Sequence, residues 1–192
     1  MFFPVPPPPR LAEGTLSLHP WQPDLATALV EAVHESVASV GRWLPWCHAG
    51  YGPAEADAWI AQCGDGWAAG GHFAFAIIEE TTGTLLGGTG LNRLDRVNRN
   101  ANLGYWVRQS RQGQGIAARA AGLATRFGFG QLGLVRIEIV IQPDNQPSLL
   151  TAEKLGARFE AVARQRICLH GQARDAAVYG LIPEDLARVP AA

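Results

Sequence analysis

The sequence predicts a single domain of mixed α and β structure, an α/β (α+β) fold. Its 192 residues suit one domain, because domains commonly hold ~100–200 residues. Helical and strand patterns follow one another along the chain without any internal repeat. A strand–helix–strand crossover is predicted in the second half, over residues 103–107, 115–131 and 135–141. This mixed order is typical of a sheet flanked by helices.

The predicted domain spans residues 15–192 and follows an extended, proline-rich arm, residues 1–14. The prolines at positions 6–9 favour an extended conformation and cannot enter a helix interior. Residues 15–19 alternate polar and apolar side chains, which indicates the first strand.

Two helices are predicted next. Pro23 suits the first turn of a helix, and the apolar residues after it recur every three or four positions, which gives one apolar helix face: Leu25, Leu29, Val33, Val37 and Val40. The second helix is predicted to begin at Pro53. Between the helices, Trp43 and Trp46 could either wall a cavity or cap the core, and the sequence favours neither.

From residue 72 onward the pattern is mainly that of strands. Three are predicted over residues 72–80, 85–94 and 101–107. On the third strand, Leu103, Tyr105 and Val107 should share one face, because side chains alternate along a strand. After the crossover, a short helix is predicted to end at Gly156, and two last strands flank a turn at residues 170–172.

Composition excludes several classes of function. The formal net charge of −1 offers no concentrated basic surface for nucleic acid. No segment reaches the ~18 consecutive apolar residues of a membrane span. The three cysteines show no CxxC spacing, which disfavours a disulfide framework and a zinc site. We therefore expect a cytoplasmic protein with no metal, nucleic-acid or membrane partner.

The most informative segment joins the third of these strands to the crossover helix, and consists of Gln112, Gly113, Gln114, Gly115, Ile116 and Ala117. Glycines let backbone N–H groups point into one concavity, and the following helix adds ~+0.5 charge at its N-terminus. Together these features can cradle a pyrophosphate. Arg108 and Arg111 are near enough in sequence to pair with phosphate charge.

The glycines alone leave other interpretations of the segment open. The glycines could simply form a flexible turn. No Lys follows them, which excludes a P-loop. A dinucleotide fingerprint also fits Gly113, Gly115 and Ala118, but it normally follows its strand directly and has an acid about 20 residues later. Here five residues separate Val107 from Gly113, and the first acid after the loop is Glu138.

A second candidate element begins at Asn145, a favourable N-cap residue, and includes Ser148. It could be no more than a helix start. However, it follows the strand at residues 135–141, just as the glycine segment follows the strand at 103–107. Ligands of α/β proteins bind where the carboxyl ends of neighbouring strands lie together. One strand end would then hold phosphate, and the other would present the Ser148 hydroxyl.

These residues resemble a known family. Gln112-x-x-Gly115-x-Ala117 fits the Q/R-x-x-G-x-G/A acyl-CoA signature of the GNAT (GCN5-related N-acetyltransferase) superfamily. The segments LGYWV, RIEIVIQPDNQPS and AEKLGARFE are similar to the RimJ/RimL-like branch, which acetylates ribosomal-protein N-termini. The resemblance covers residues 15–182. It implies a mostly antiparallel sheet that splays where acetyl-CoA, the co-substrate, inserts.

The resemblance also implies roles for individual residues. Tyr105, Trp106 and Val107 would offer backbone groups to the pantetheine arm, with Asn145 as a further hydrogen-bond partner. The segment from Gln112 to Ala117 would hold the pyrophosphate. Ser148 would protonate the CoA thiolate as it leaves. The amine would attack the thioester directly in a ternary complex, without an acyl-enzyme.

One departure from the family concerns the general base. Many relatives carry Glu at the position of Asn102, and an amide cannot accept that proton. The replacements considered are His34, Glu35, His72 and Glu138. The departure also keeps open a catalytically inactive CoA-binding module as the alternative function. The acceptor amine, on a protein N-terminus or a small molecule, is not specified by the sequence, and a homodimer is a further expectation.

Overall fold

The computed structural model describes residues 11–186, which form an eight-stranded sheet flanked by helices. The order across the sheet is β1-β2-β3-β4-β5-β6-β8-β7. Neighbouring strands are antiparallel except β5 and β6, which are parallel. The strands are β1 (Leu11–Glu13), β2 (Leu16–Pro20), β3 (Phe73–Glu79), β4 (Thr84–Asp95), β5 (Asn100–Val107), β6 (Arg136–Ile141), β7 (Arg158–Leu169) and β8 (Gln172–Leu181).

The helices cover both faces of this sheet. They are α1 (Ala26–Ser36), α2 (Pro53–Ala68), α3 (Ile116–Gly130), α4 (Gln146–Lys154) and α5 (Pro183–Leu186). On β3, Phe73 and Phe75 join the buried cluster around α3. The alternate residues Ala74 and Ala76 join the cluster around α1 and α2. The predicted mixed architecture is confirmed, and no helix within residues 11–186 has the length and hydropathy that would cross a bilayer.

The crossover helix α3 lies close against the sheet. A Cβ added at Gly128 would lie 2.8 Å from Leu91 Cδ1 and 3.0 Å from Ile137 Cδ1. A side chain there would therefore require the side chains of Leu91 and Ile137 to shift. On β5, Leu103 and Val107 are 2% and 6% exposed on the α3 side, as the predicted alternation requires.

The sheet splays between its two parallel strands. Of the described residues, only Asn100–Asn102 of β5 pair with β6, at Arg136–Glu138. Beyond that point β5 stays paired with β4 and β6 stays paired with β8. Residues 103–107 of β5 thus face a gap, with backbone groups on that side left to a ligand. This is the splay that the resemblance implied.

Two element boundaries differ from the sequence-based expectation. Helix α1 ends at Ser36, not Val40, because the amides of Ser39 and Val40 both turn back to the Ser36 carbonyl, at 3.1 and 2.7 Å. The Ser36 hydroxyl also donates to the Ala32 carbonyl at 2.6 Å. At the other boundary, Leu11–Glu13 pairs with β2 as an edge strand, so the sheet begins inside the stretch predicted as an arm. Residues 1–10 of that arm lie outside the described residues.

Candidate active site

A groove of about 1690 Å³ runs through the splay between β5 and β6. Ten of the eleven predicted site residues line it: Tyr105, Trp106, Val107, Gln112, Gly113, Gly115, Ile116, Ala117, Asn145 and Ser148. Gln114 does not line the groove, and its side-chain amide donates to the Ser110 carbonyl at 3.4 Å. The α1–α2 connection and parts of β4 and β7 complete the walls.

The glycine segment forms a concave backbone turn at the start of α3. Gly113 and Gly115 have φ angles of 76° and 74°, a left-handed conformation that favours glycine. A Cβ added at either residue would meet no atom within 4 Å, so the space in front of the turn is open. The first N–H groups of α3 have no acceptor inside the helix. An open, electropositive turn of this kind suits a diphosphate.

The Gln112 side chain braces this turn. Its amide nitrogen donates to the Val107 carbonyl at 2.9 Å and to the Ser39 hydroxyl at 3.1 Å. These bonds tie the loop to the end of β5 and to the segment after α1. The contribution of Gln112 to a bound phosphate would therefore come from its backbone, since its side chain holds the protein.

Arg108 does not face the groove, contrary to expectation. Its guanidinium binds Glu35 through Nε, at 3.0 Å from Oε2, and through Nη2. Its Nη1 donates to the Leu85 carbonyl at 3.2 Å. The other carboxylate oxygen of Glu35 accepts from the Ser110 amide at 2.7 Å. This ion pair fixes the turn that leads into the glycine segment, whereas Arg111 does line the groove.

Replacing Glu35 with Gln should loosen that turn. Hydrogen bonding to Arg108 is the largest influence on the pKa of Glu35 and lowers it from 4.5 to about 2, although burial raises it. The stabilisation is therefore complete above pH 4.5 and lost as the pH falls toward 2. At neutral pH we expect the KM for acetyl-CoA to rise roughly 5- to 10-fold, as for one weakened charged hydrogen bond. Steady-state kinetics measure this, with Glu31→Gln, an exposed change on the same helix, as control. Equal effects of both changes would contradict the prediction.

The hydroxyl of Ser148 lies against that of Tyr105. Asn145 caps α4, as predicted, by accepting the Ser148 amide on Oδ1 at 3.3 Å. Tyr105 Oη donates to the Ser148 carbonyl at 3.1 Å and lies 3.1 Å from Ser148 Oγ. Burial is the main cause that raises the pKa of Tyr105 to about 12, so the phenol keeps its proton. Sequence reasoning missed this pair, because the two residues are 43 positions apart and no spacing signals their contact.

Of the four base candidates, only His72 lines the groove. His34 donates to the Tyr51 carbonyl at 2.7 Å, Glu35 binds Arg108, and Glu138 pairs with Arg136 at 3.0 Å. Burial lowers the pKa of His72, which favours the neutral imidazole that can accept a proton. Asn102 lines the groove too, and its amide donates to Asn92 Oδ1 at 3.1 Å.

Trp43 and Trp46 wall the groove, which decides between the two readings of that aromatic segment. Trp46 is 38% exposed and packs edge-on against Trp106, with ring centroids 5.4 Å apart. Tyr51 lies 6.4 Å from Trp46 in a second edge-on contact. The Gln142 side chain donates to the Trp43 carbonyl at 3.1 Å and links this wall to the end of β6.

The open edge of β5, the cradle at the start of α3 and the hydroxyl pair beside them define an acyltransferase that uses acyl-CoA. A cradle of this kind suits the diphosphate, and an unpaired strand edge suits an extended arm such as pantetheine. A family model described as an acetyltransferase (GNAT) domain matches residues 15–158. The chain therefore belongs to the GNAT family and is an N-acetyltransferase that moves acetyl groups from acetyl-CoA to amines.

Similar proteins come from several bacteria. YdaF of Bacillus subtilis (strain 168), provisionally described as a ribosomal N-acetyltransferase, is 28% identical over 172 residues, covering 85% of this chain and 89% of YdaF. A solved structure from Vibrio cholerae, provisionally described as a ribosomal-protein-serine acetyltransferase, has a TM-score of 0.82 at 29% identity and covers 95% of this chain and 100% of that one. The spermidine N(1)-acetyltransferase of Escherichia coli (strain K12) is 29% identical over 99 residues, 52% of this chain and 53% of that enzyme.

Proposed function

We propose that this enzyme acetylates the α-amine at the N-terminus of a peptide or protein, with Ser148 as the acid that completes the transfer. The contact between the Ser148 and Tyr105 hydroxyls, 3.1 Å apart in the splay, carries the catalytic part of the proposal. The acceptor class draws on two relatives that match most of this chain and are described as ribosomal acetyltransferases. The spermidine enzyme matches about half of it.

The co-substrate would lie along the open edge of β5. Backbone groups of Tyr105, Trp106 and Val107 would pair with the pantetheine amides as a neighbouring strand does. Asn145 uses Oδ1 for its own helix, which leaves its NH₂ group for the pantetheine. The turn from Gln112 to Ala117 would surround the pyrophosphate with N–H donors. Gln114 would contribute only its backbone N–H group, because its side chain lies outside the groove.

The chemistry is a direct transfer. An α-amine has a pKa of ~7.7–8.0, so a fraction of it is already neutral at neutral pH and can attack the thioester carbon. As the C–S bond breaks, Ser148 gives its hydroxyl proton to the thiolate and takes a proton back from water, while the Tyr105 hydroxyl keeps its own proton and holds Ser148 in position. His72 is the base candidate that the groove retains for the proton released by the amine.

Of the three cysteines among the described residues, Cys47 and Cys63 lack the setting of an acyl-accepting nucleophile, whereas Cys168 is exposed and lines the groove. Cys47 and Cys63 are buried, and burial raises the pKa of both thiols, that of Cys63 to about 12. A thiol held in its protonated form is a poor nucleophile. This argues against an acyl-enzyme on either buried thiol. It also leaves Ser148 and Tyr105 as the groups that favour an active enzyme over a CoA-binding module.

We place the enzyme in the cytoplasm and propose that it forms a homodimer. The three cysteines are free thiols, which suits a reducing compartment. On the edge strand β7, Phe159 and Val162 are 56% and 51% exposed. Exposed apolar edge strands commonly pair with another chain. Analytical ultracentrifugation of the purified chain tests the dimer.

Release of the CoA thiol, measured against a panel of amines, tests the function. The panel holds peptides that start with Ser, Ala or Met, together with free amino acids, polyamines and aminoglycosides. We expect turnover with at least one peptide and a much lower kcat/KM with spermidine. Turnover with polyamines or aminoglycosides alone would overturn the peptide assignment. Tight acetyl-CoA binding with no thiol release from any amine would favour the inactive module.

A further inference from the structure

Two β-bulges lie at the groove, one on β4 and one on β7. The β4 ladder shifts register between Asn92 and Asp95, and Arg93 within the bulge has a φ of 50°. The β7 ladder shifts between Ala163 and Ile167, and Gln165 there also has a φ of 50°. Bulges redirect side chains beside active sites, and a left-handed non-glycine residue persists only where its surroundings enforce it. Both Arg93 and Gln165 line the groove.

The two bulges flank one point of the groove, remote from the phosphate cradle. Asn92 pairs with Asn102 on β5, and Val107, at the cradle end, is ~17 Å further along that strand at ~3.3 Å per residue. On the other side, Glu138 of β6 pairs with Asn102. Arg166, next to Gln165, lies 3.6 Å from the Glu138 carboxylate. Arg93 on β4 and Arg166 on β7 therefore lie on opposite sides of the splay at the level of Asn102.

Over the whole groove, the phosphate cradle included, cations outnumber carboxylates. Among the described residues that line the groove are two carboxylates, Glu55 and Asp144, and five cations: Arg42, Arg93, Arg111, Lys154 and Arg166. The negative charge of Glu138 is already balanced, because its carboxylate pairs with Arg136 at 3.0 Å and also with Arg166.

Arg93 is the groove cation that lies in the β4 bulge beside Asn102. Within residues 11–186 its side chain has no hydrogen-bond or ion-pair partner, which is also true of Arg42, Arg111 and Lys154. Its neighbour Asn92 and the facing Asn102 are uncharged amides that bond to each other. Arg93 is therefore a guanidinium ready for a carboxylate, which it can bind with two parallel hydrogen bonds.

We propose that Arg93, with Gln165 and Arg166, forms a carboxylate subsite in the acceptor half of the groove. The preferred acceptor is then an amine with a carboxylate close by, as in a peptide with Asp or Glu near its N-terminus. A polyamine would bring several positive charges toward Arg93 and Arg166 and would be repelled. The proposal rests on the amine-acetylating function above and specifies its substrate class.

Matched peptides test the subsite. Peptides of one length, starting with Ser and carrying Asp, Asn or Lys at positions two and three, are compared by kcat/KM. We expect kcat/KM to fall in the order Asp, Asn, Lys. For the Asp peptide, Arg93→Gln should lower kcat/KM at least about 10-fold, as for one lost charged hydrogen bond. The Asn peptide should lose much less, and Arg93→Glu should favour the Lys peptide. Free aspartate and glutamate, assayed alongside, show whether the carboxylate can come from a single amino acid.

Arg99→Gln is the control, because Arg99 is also exposed and also has a positive φ, 51°, but does not line the groove. Calorimetric binding of the N-acetylated Asp and Lys peptides, the reaction products, gives a readout that needs no turnover. Weaker binding of the acidic product by Arg93→Gln than by the wild type supports the subsite. It does so even if no amine is acetylated, because a lack of acetylation would contradict only the proposed function. Equal binding of both products, or equal losses for all peptides in Arg93→Gln, would overturn the subsite.

Discussion

Replacing Ser148 with alanine is expected to lower kcat about 100-fold, the low end of what a positioned proton donor contributes. The KM for acetyl-CoA should change little, since the cradle and the edge of β5 remain. The alanine also leaves the Asn145 cap in place, because that bond goes to the Ser148 backbone amide. Steady-state release of the CoA thiol measures the effect, with circular dichroism to confirm the fold.

Three further variants separate a proton donor from a structural hydroxyl. Ser148→Thr keeps a hydroxyl and should recover part of the lost rate. Tyr105→Phe removes the partner hydroxyl and should lower kcat by a smaller factor. The double change of Ser148→Ala with Tyr105→Phe should be no slower than Ser148→Ala alone, because residues that act as one unit are not additive. A double variant that multiplies the two losses would show that the hydroxyls act separately.

The pH dependence offers an independent check on the same pair. Because burial raises the pKa of Tyr105 to about 12, the phenol stays protonated throughout the assay range. Ionisation of Tyr105 should therefore not lower the wild-type kcat between pH 8 and 10. The pH profiles of the wild type and of Tyr105→Phe should have the same shape in this range. A decrease in the wild type that Tyr105→Phe abolishes would mean that Tyr105 titrates in the working range, contrary to its burial beside Ser148.

Local features of the site could be predicted from the sequence, because each depends on neighbours in the chain. Gly113 and Gly115 require a left-handed turn wherever they occur, and the helix after them supplies its N–H groups in any fold. Asn145 signals its cap in the same way. The splay of the sheet was also predicted, but only from the family resemblance, because no local sequence pattern shows where two strands separate.

Features that depend on distant residues could not be predicted. Arg108 is close in sequence to the glycine turn, yet it faces away because Glu35 lies across the fold, 73 positions earlier. The end of α1 at Ser36 was missed for a related reason. The apolar period continues to Val40, although the Ser36 carbonyl already accepts hydrogen bonds from the backbone amides of the turn that follows. Periodicity reports which side chains are buried, and a turn can bury Val40 as well as a helix can.

The second large effect concerns the cradle itself: Gly115→Val should weaken acetyl-CoA binding about 100-fold. Valine disfavours the φ of 74° at this residue by roughly 1–2 kcal/mol, and its side chain would occupy the open space in front of the turn. That space is where the N–H groups at the start of α3 would meet the pyrophosphate. Calorimetric titration with acetyl-CoA measures the affinity, and thermal unfolding measures the cost to the fold.

Gly83→Val separates ligand exclusion from backbone strain. Gly83 has a φ of 69° and the same open surroundings, but it lies in the turn between β3 and β4 and does not line the groove. Both variants should lose a similar, small amount of stability, because both force a β-branched residue into the left-handed region. Only Gly115→Val should lose acetyl-CoA. If the two bind acetyl-CoA equally well, the turn before α3 does not hold the pyrophosphate, and the phosphates must bind at another part of the groove.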